Sequence, residues 1–176
     1  MRSRAWVWCA GALSAAVTAT TVGLSVGTAG PGLQGPDVVR PVATLATAPG
    51  PHALGVLHRW DRRRADAWAA GDPAVLTRLY VAGSRTGRRD VRDLERWRER
   101  GLRVAGLRQQ VAALSLRRRA PGRLTVLVTD RTVDGVATGG RYRVGLPRSA
   151  WLTHRVTLRR VRGTWRVVEA QAQPAR

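Results

Sequence analysis

The spacing of the apolar residues changes near Gly101, and this change constrains the fold more than any other feature of the chain. Before Gly101, apolar side chains such as Leu57 and Trp60 recur every three to four residues, which is typical of amphipathic helices. After it, apolar residues such as Leu124 and Val126 alternate with others, which is typical of strands with one buried face. Helices followed by sequential strands predict an α+β domain with an antiparallel sheet.

Three helices are predicted before the change of spacing. The first covers residues 52–70, after which Asp72 is placed to cap a short second helix that starts at Pro73. Asp90 is predicted to cap the third helix, and Gly101 to end it. The segment between the second and third helices is rich in small residues and is predicted to be a loop.

Four to five strands are predicted after the change, with a break in the alternation near Gly106. The pair Asp134–Gly135 predicts a hairpin turn, and the glycine pair at residues 139–140 a further turn. A short, weaker strand is expected between these turns and the last two strands. The predicted strands cover residues 102–118, 123–133, 142–146, 151–161 and 164–171.

An uncharged, mostly apolar segment covers residues 5–29 and follows the basic residues Arg2 and Arg4. It is long enough for a membrane-spanning helix, and residues 27–29 also supply the small residues that precede the cut in a signal peptide. An uncleaved anchor leaves the domain at the cell membrane, outside the cytoplasm, whereas a cleaved signal gives a secreted protein. Lipid attachment at Cys9 is disfavoured because the bulky Trp8 precedes it.

This segment sets the expected division of the chain. Residues 1–30 are the signal or anchor segment, and residues 31–51 are a linker. The linker holds five of the nine prolines, and residues 30–51 hold four glycines. Proline fixes φ and removes a backbone donor, so the linker is not expected to hold a packed helix or a central strand. Residues 52–172 form the globular domain, and residues 173–176 a tail.

The basic residues carry a formal net charge of +20, and all 31 of them are arginine. This usage, with abundant Ala, Gly and Val, is typical of a high-GC bacterium. Short clusters such as residues 62–64 and 117–119 are interpreted as solvated faces, because charge runs usually are. The alternative is contact with an anionic polymer. No continuous basic stripe with interleaved aromatics is visible, so specific nucleic-acid binding is not expected.

A resemblance to a known family rests on the run Trp68-Ala-Ala-Gly71-Asp72-Pro73 between a long and a short helix, the latter ending in Leu79-Tyr80. With a third helix and a curved meander of strands, residues 52–172 resemble the NTF2-like superfamily, the cone fold of SnoaL-like and cystatin-like proteins. The resemblance implies three amino-terminal helices packed on a curved antiparallel sheet, with a pocket between them. It does not imply catalysis, because this fold serves enzymes, binding domains and scaffolds. Pairing through the open sheet face, giving a homodimer, is a further implication.

The search for chemistry gives pocket candidates but no catalytic set. Standard hydrolase, metalloprotease, phosphate-loop and dinucleotide motifs are absent, and the histidines show no metal-ligand spacing, so no metal or cofactor is expected. Strand parity places three polar residues on the apolar faces that would line the cone, and two aromatic residues on the helices are expected near it. The candidates are Tyr80, Trp97, Asp130, His154 and Glu169. For each polar candidate the alternative is an ordinary satisfied group, paired, buried or solvated.

Two functions follow from these observations. The first is a non-enzymatic interaction or scaffold module outside the cytoplasm, tethered at the membrane, with a protein or an anionic envelope polymer as partner. The second is a small-molecule-binding or isomerase-like pocket protein. The two differ in one observable feature, because only the second needs an open cavity with at least two converging polar groups such as Asp130 and His154.

Overall fold

The computed structural model describes residues 51–174, which hold three helices followed by five strands. This order is the one that the change of apolar spacing predicts. The apolar helix expected over residues 5–29 lies outside the described residues. The helices are α1 (Pro51–Ala70), α2 (Pro73–Arg78) and α3 (Arg85–Glu99). The strands are β1 (Arg103–Ala120), β2 (Arg123–Gly139), β3 (Tyr142–Gly145), β4 (Leu152–Val161) and β5 (Thr164–Ala172).

The strands form one open, curved sheet in which every pair is antiparallel. The order across the sheet is β1-β2-β4-β5, and β3 pairs with the carboxyl end of β2. The predicted α+β class and the sheet of four to five antiparallel strands are therefore confirmed. β1 contains several register shifts, including one at the expected irregularity near Gly106, and such bulges bend a strand.

The core lies between α1 and the concave face of the sheet. Trp60 and Trp68 on α1 are buried, as are Val126 and Val128 on β2 and Val156 on β4. The three-to-four-residue spacing of the helix and the two-residue spacing of the strands thus place both apolar faces in the same core. Burial of such side chains contributes about 1.5–3 kcal/mol each relative to exposure, which explains why these two patterns determine the architecture.

The turn between α1 and α2 forms as the sequence predicts. The Asp72 carboxylate accepts hydrogen bonds from the backbone N–H groups of Ala74 and Val75, both at 2.9 Å. Pro73 follows at the first helical position, where its missing N–H is not needed. The local signal was sufficient here because both partners of the Asp72 carboxylate lie within three residues.

The predicted start of α3 is wrong. Ser84, not Asp90, caps the helix, and its hydroxyl accepts a hydrogen bond from the N–H of Gly87 at 3.0 Å. Gly87 lies against the ring of Tyr80, so closely that a Cβ there would be 2.6 Å from Tyr80 Cγ. Of the small residues that suggested a loop, Gly83 and Ser84 lie before the helix, whereas Gly87 lies within it and allows the close contact with Tyr80. Asp90 lies inside the helix.

The predicted hairpin turn at Asp134–Gly135 is also wrong, because β2 continues through both residues to Gly139. The Arg108 guanidinium of β1 holds Asp134 across the strand pair, with Nε donating to Oδ2 at 2.7 Å. A Cβ at Gly135 would lie 2.9 Å from Leu146 Cδ1, so this glycine accommodates a close side chain rather than a turn. The chain instead turns after Gly139, at the turn predicted from the glycine pair of residues 139–140.

Candidate functional site

The structure brings two of the predicted pocket residues together, Asp130 on β2 and His154 on β4. His154 lies opposite Val128 in the strand register, two pairs from Asp130 and on the same face, and its Nε2 is 3.4 Å from Asp130 Oδ1. Both residues are buried, with relative exposures of 1% for His154 and 8% for Asp130. Strand parity therefore predicted correctly that both side chains face the core.

A third titratable group, Asp61 on α1, lies beside this pair. Burial raises the pKa of Asp61 to about 6, the Arg64 guanidinium lowers it, and the Asp130 carboxylate raises it further. Sequence analysis did not select Asp61, although it lies four residues after Leu57 and so on the buried side of α1. Asp61, Asp130 and His154 are named here the acid–histidine cluster.

The cavity beside the two acids of the acid–histidine cluster is very small. The cavity between α1, β1 and β2 that contacts Asp61 and Asp130 has a volume of about 10 Å³. That is about the space that one water molecule requires, and far below the roughly 300–1,000 Å³ of a small-molecule site. Its remaining lining residues are Leu57, His58, Gln109 and Val111. The cluster thus combines one carboxyl group of raised pKa with a cavity too small for an organic substrate.

Tyr80, the third predicted pocket residue, contacts Asp90 and not the acid–histidine cluster. Its hydroxyl donates a hydrogen bond to Asp90 Oδ2 at 2.6 Å, and its ring packs edge-on against Trp60 at 5.5 Å between centroids. Tyr80 does not line the cavity beside Asp61 and Asp130. Its polar atom is therefore used in a contact between helices.

Asp90 is the centre of a buried network that sequence analysis missed. The Arg64 guanidinium donates to both carboxylate oxygens, Nε to Oδ2 at 2.7 Å and Nη2 to Oδ1 at 2.6 Å. Trp68 Nε1 also donates to Oδ1, at 3.2 Å, in addition to the Tyr80 hydroxyl. Arg64 is only 1% exposed, so the interpretation of residues 62–64 as a solvated face is wrong for this arginine. We name these four residues the Asp90 network.

The last two candidates, Trp97 and Glu169, lie at the margin of the core. Trp97 is half-buried, packs against the core, and lies 5.8 Å from the Arg100 guanidinium. Glu169 accepts hydrogen bonds from the Arg85 N–H at 3.2 Å, the Thr86 N–H at 3.0 Å and the Thr86 hydroxyl at 2.7 Å. Both residues therefore contribute to packing or capping of α3.

The expected parity of Glu169 with Trp165 and Val167 is wrong because β5 contains a bulge. The register shifts between Thr157 and Leu158, so that Val168 is an extra residue and Glu169 lies opposite Thr157. Ala170, opposite Val156, continues the buried row instead. A single extra residue thus moves Glu169 off the core-facing row, to where it binds the amino terminus of α3.

Two further features concern metal binding and membrane crossing within residues 51–174. No group of three or more His, Cys, Asp or Glu side chains in this range is placed to hold a metal ion. None of the three helices there is long and apolar enough to cross a membrane. The predicted anchor, residues 5–29, lies outside the range.

Comparison with known proteins gives a likeness of fold. No protein-family model and no curated protein sequence matches the chain. Among solved structures, the intermembrane-space region of the chloroplast protein ARC6 is similar to it, with a TM-score of 0.51, 14% identity, and coverage of 70% of this chain and 95% of that one. At this identity the likeness shows a shared fold and nothing about activity.

Further solved structures match with lower scores. Aln2 from a Streptomyces species has a TM-score of 0.49 and 15% identity, and covers 72% of this chain and 93% of its own. A candidate dehydratase of the NTF2-like family from Streptomyces avermitilis has a TM-score of 0.43 and 13% identity, with coverages of 71% and 97%. The element order and the curved antiparallel sheet of residues 51–174 are those that the resemblance implies. The predicted arrangement of helices and sheet is therefore confirmed.

Proposed function

We propose that residues 52–172 are a non-enzymatic interaction module, held at the cell membrane outside the cytoplasm by residues 5–29 and the linker. The observation that carries the proposal is the filled cone. The cavity beside Asp61 and Asp130 measures about 10 Å³, whereas an enzyme of this fold needs room for a substrate there. A cone closed by its own side chains supports a role performed by the surface.

The surface offers a contact region around β3 and the start of β4. Tyr142, Val144 and Trp151 are the large apolar residues that remain exposed there, at 50%, 45% and 41%. The Arg131 guanidinium stacks over the Trp151 ring at 4.4 Å, which adds a cation to this apolar surface. Aromatic residues and arginine are the residue types most enriched at protein interfaces. We name these residues the Trp151 surface and propose that it contacts the partner.

The high positive charge supports a partner that is a protein with an acidic surface or an anionic envelope polymer. A net charge of +20 attracts either kind of partner, with a strength that falls as salt increases. The apolar Trp151 surface favours the protein, because apolar burial adds an attraction that salt does not screen. A homodimer through the open face of the sheet is a further proposal, which sedimentation of the full chain at several concentrations would test.

Crosslinking of the full chain in membranes tests the proposal. The unchanged chain and a Tyr142→Ala, Trp151→Ala variant would be crosslinked in parallel, recovered by an affinity tag and compared by quantitative mass spectrometry. A matched control carries Arg117→Ala and Arg119→Ala, two exposed changes on β1. We expect one crosslinked species to be lost in the aromatic variant and retained in the control. Equal recovery from all three chains would contradict a role for the Trp151 surface.

A second function is favoured by the acid–histidine cluster. Asp61 lies beside Asp130, which contacts His154, and a carboxyl group whose pKa is raised to about 6, as that of Asp61 is, can exchange a proton near neutral pH. An isomerase-like role would require the cone to open for a ligand. Proton exchange α to the carbonyl of an unsaturated ketone probe, lost in Asp130→Asn, would support it. Absence of exchange in the unchanged chain would leave the interaction module as the sole proposal.

A further inference from the structure

A groove separate from the cone lies between α2, the loop after it, α3 and β5. Its volume is about 440 Å³, within the range of small-molecule sites. The apolar part of its lining comes from Tyr80, Val81, Ala82 and Val91. The charged part consists of four arginines, which are Arg78, Arg88, Arg92 and Arg166. We name this cavity the arginine groove.

The lining of the arginine groove has one sign of charge. Twelve residues line it, and none of them is Asp or Glu. Arg88 and Arg92 lie one turn apart on α3, on the same face as Val91, so their side-chain stems and Val91 border one wall of the groove. Arg88 also donates through Nη1 to the Gly83 carbonyl at 2.8 Å, which fixes that side chain beside the loop.

Arg166, which lines the groove, has one unsatisfied donor. Within residues 51–174, its Nε atom is buried and has no hydrogen-bond partner. A buried donor without an acceptor is rare and destabilising, because the group has lost its water without gaining a replacement. An anionic oxygen in the groove would provide the missing acceptor once the Arg166 side chain turned towards it, because a guanidinium binds carboxylate and phosphate groups with two parallel hydrogen bonds.

The backbone at the amino terminus of α3 is not the source of this anion affinity. The first N–H groups of the helix, those of Arg85 and Thr86, donate to the Glu169 carboxylate. The Gly87 N–H donates to the Ser84 hydroxyl. Recognition of an anion in the groove therefore falls to the arginine side chains.

We infer that the arginine groove binds a free, single-chain amphipathic anion, an alkyl or acyl chain that ends in a phosphate or a carboxylate. The chain would lie on Val81, Ala82 and Val91, which present no hydrogen-bonding side-chain atoms, and the head group would lie among the guanidinium groups. The inference goes beyond the proposed function, because neither the cone cavity nor the Trp151 surface contributes a residue to the groove.

Photolabelling of the full chain tests the inference. The chain would be placed in phosphatidylcholine nanodiscs and exposed to decyl phosphate that carries a diazirine on its alkyl chain, and the labelled residues would be mapped by mass spectrometry. We expect label within residues 77–92, removed by excess decyl phosphate. Decyltrimethylammonium, which has the chain without the anion, and inorganic phosphate, which has the anion without the chain, should not remove it.

A pair of charge-matched variants separates specific binding from general attraction. Arg88→Gln with Arg92→Gln removes two guanidinium groups from the groove, and Arg117→Gln with Arg119→Gln removes two from β1, at the opposite edge of the sheet from β5. We expect the first variant to lose labelling by about tenfold or more, since hydrogen bonds between two charged groups are the stronger kind, and the second to keep it. All four are exposed side chains, so both variants should melt within a few degrees of the unchanged chain.

Three results would overturn the inference. Equal loss of label in the two variants would show attraction by net charge alone. Competition by decyltrimethylammonium would show partition of alkyl chains onto any apolar surface. Protection by phosphatidylglycerol in the nanodisc, with no protection by free decyl phosphate, would replace the free ligand by a membrane lipid. None of these results depends on the partner of the Trp151 surface, so the proposed function would stand or fall separately.

Discussion

Two carboxyl groups in the helical layer, Asp90 and Asp61, differ in how the surrounding residues stabilise their charge. Asp90 accepts four hydrogen bonds from Arg64, Trp68 and Tyr80, so its charge is balanced and its oxygens are satisfied. Asp61 lies beside another acid, Asp130, in a cavity otherwise partly apolar, and its pKa is raised to about 6. Asp90 connects the helices, whereas the ionised carboxylate of Asp61 lowers the stability of the fold.

The difference between the two acids indicates which of them is the stronger candidate for a functional residue. Perturbed titratable groups cluster at functional sites, and by that criterion Asp61 is the more suggestive of the two. The filled cavity beside it argues against substrate access, however. Burial and a raised pKa thus identify a carboxyl group whose ionised form is disfavoured, but they do not identify a reaction. Variants of the two acids measure how differently they contribute to the free energy of unfolding.

The largest effect is expected from Asp90→Ala. Removal of the carboxylate leaves the buried Arg64 guanidinium without its ion-pair partner, which should lower the free energy of unfolding by about 3–5 kcal/mol. Urea unfolding of the full chain, followed by tryptophan fluorescence, measures the loss. Asp93→Asn is the matched control, because Asp93 is on the same helix and pairs with the exposed Arg96.

The double variant Arg64→Met, Asp90→Leu sharpens this prediction if the single variant fails to fold. It removes both charges, so it should lose less stability than Asp90→Ala, although Trp68 and Tyr80 still lose an acceptor. A single variant as stable as the unchanged chain would show that the Asp90 network does not fasten the helices.

The second effect is expected from Asp61→Asn, and its sign is opposite. Because burial raises the pKa of Asp61 from 3.8 to about 6, the folded chain binds more protons than the unfolded chain between these pH values. The contribution of Asp61 to stability is therefore present below pH 3.8 and is lost as the pH rises through about 6. Partial exposure of the group reduces the effect, and we expect the variant to gain about 2 kcal/mol at pH 7.

Unfolding free energies at pH 4 and pH 7 check this prediction. Asp61→Asn should flatten the dependence between these pH values, whereas Asp66→Asn, a change of an exposed acid on the same helix, should not. If Asp61→Asn destabilises the chain at pH 7, the carboxylate has favourable partners and the contrast with Asp90 disappears.

Sequence reasoning succeeded where each signal and its partner lie close along the chain or repeat regularly. The cap at Asp72 and the alternation of β2 are examples, because all that they require lies in adjacent residues. It failed at Asp90, whose acid-before-helix pattern imitates a cap while its partner Arg64 lies 26 residues earlier. It also failed at Glu169, because a bulge at Val168 is fixed by the neighbouring strand.

The same limit explains what could be predicted of the candidate site. Parity placed Asp130 and His154 on the core face, and the structure adds their 3.4 Å contact. Asp61 could have been found from its position four residues after Leu57, but its raised pKa arises from groups on other elements and from burial. Whether the cone is open depends on the packing of every side chain in it, which no local pattern encodes.

The third effect concerns Glu169, an acid satisfied by a helix terminus. Glu169→Ala removes the acceptor of the Arg85 and Thr86 N–H groups, and we expect a loss of about 1 kcal/mol, as for other amino-terminal caps. Thermal unfolding measures it. Glu95→Ala, an exposed change on the same helix, should have no comparable effect. If Glu169→Ala lowers the stability no more than Glu95→Ala does, the hydrogen bonds of Glu169 to the start of α3 do not stabilise the fold.

The smallest effect, and the sharpest test of the contrast, is expected from Asp130→Asn. The Asp130 carboxylate raises the pKa of Asp61, but less than burial does, so its neutralisation should lower that pKa only part of the way from about 6 towards 3.8. A carbon-13 NMR titration of labelled aspartate in the full chain reads this change. An unchanged pKa would mean that the Asp130 carboxylate has no net influence on Asp61. The two acids would then act separately, and proton exchange within the acid–histidine cluster would lose the coupling between them.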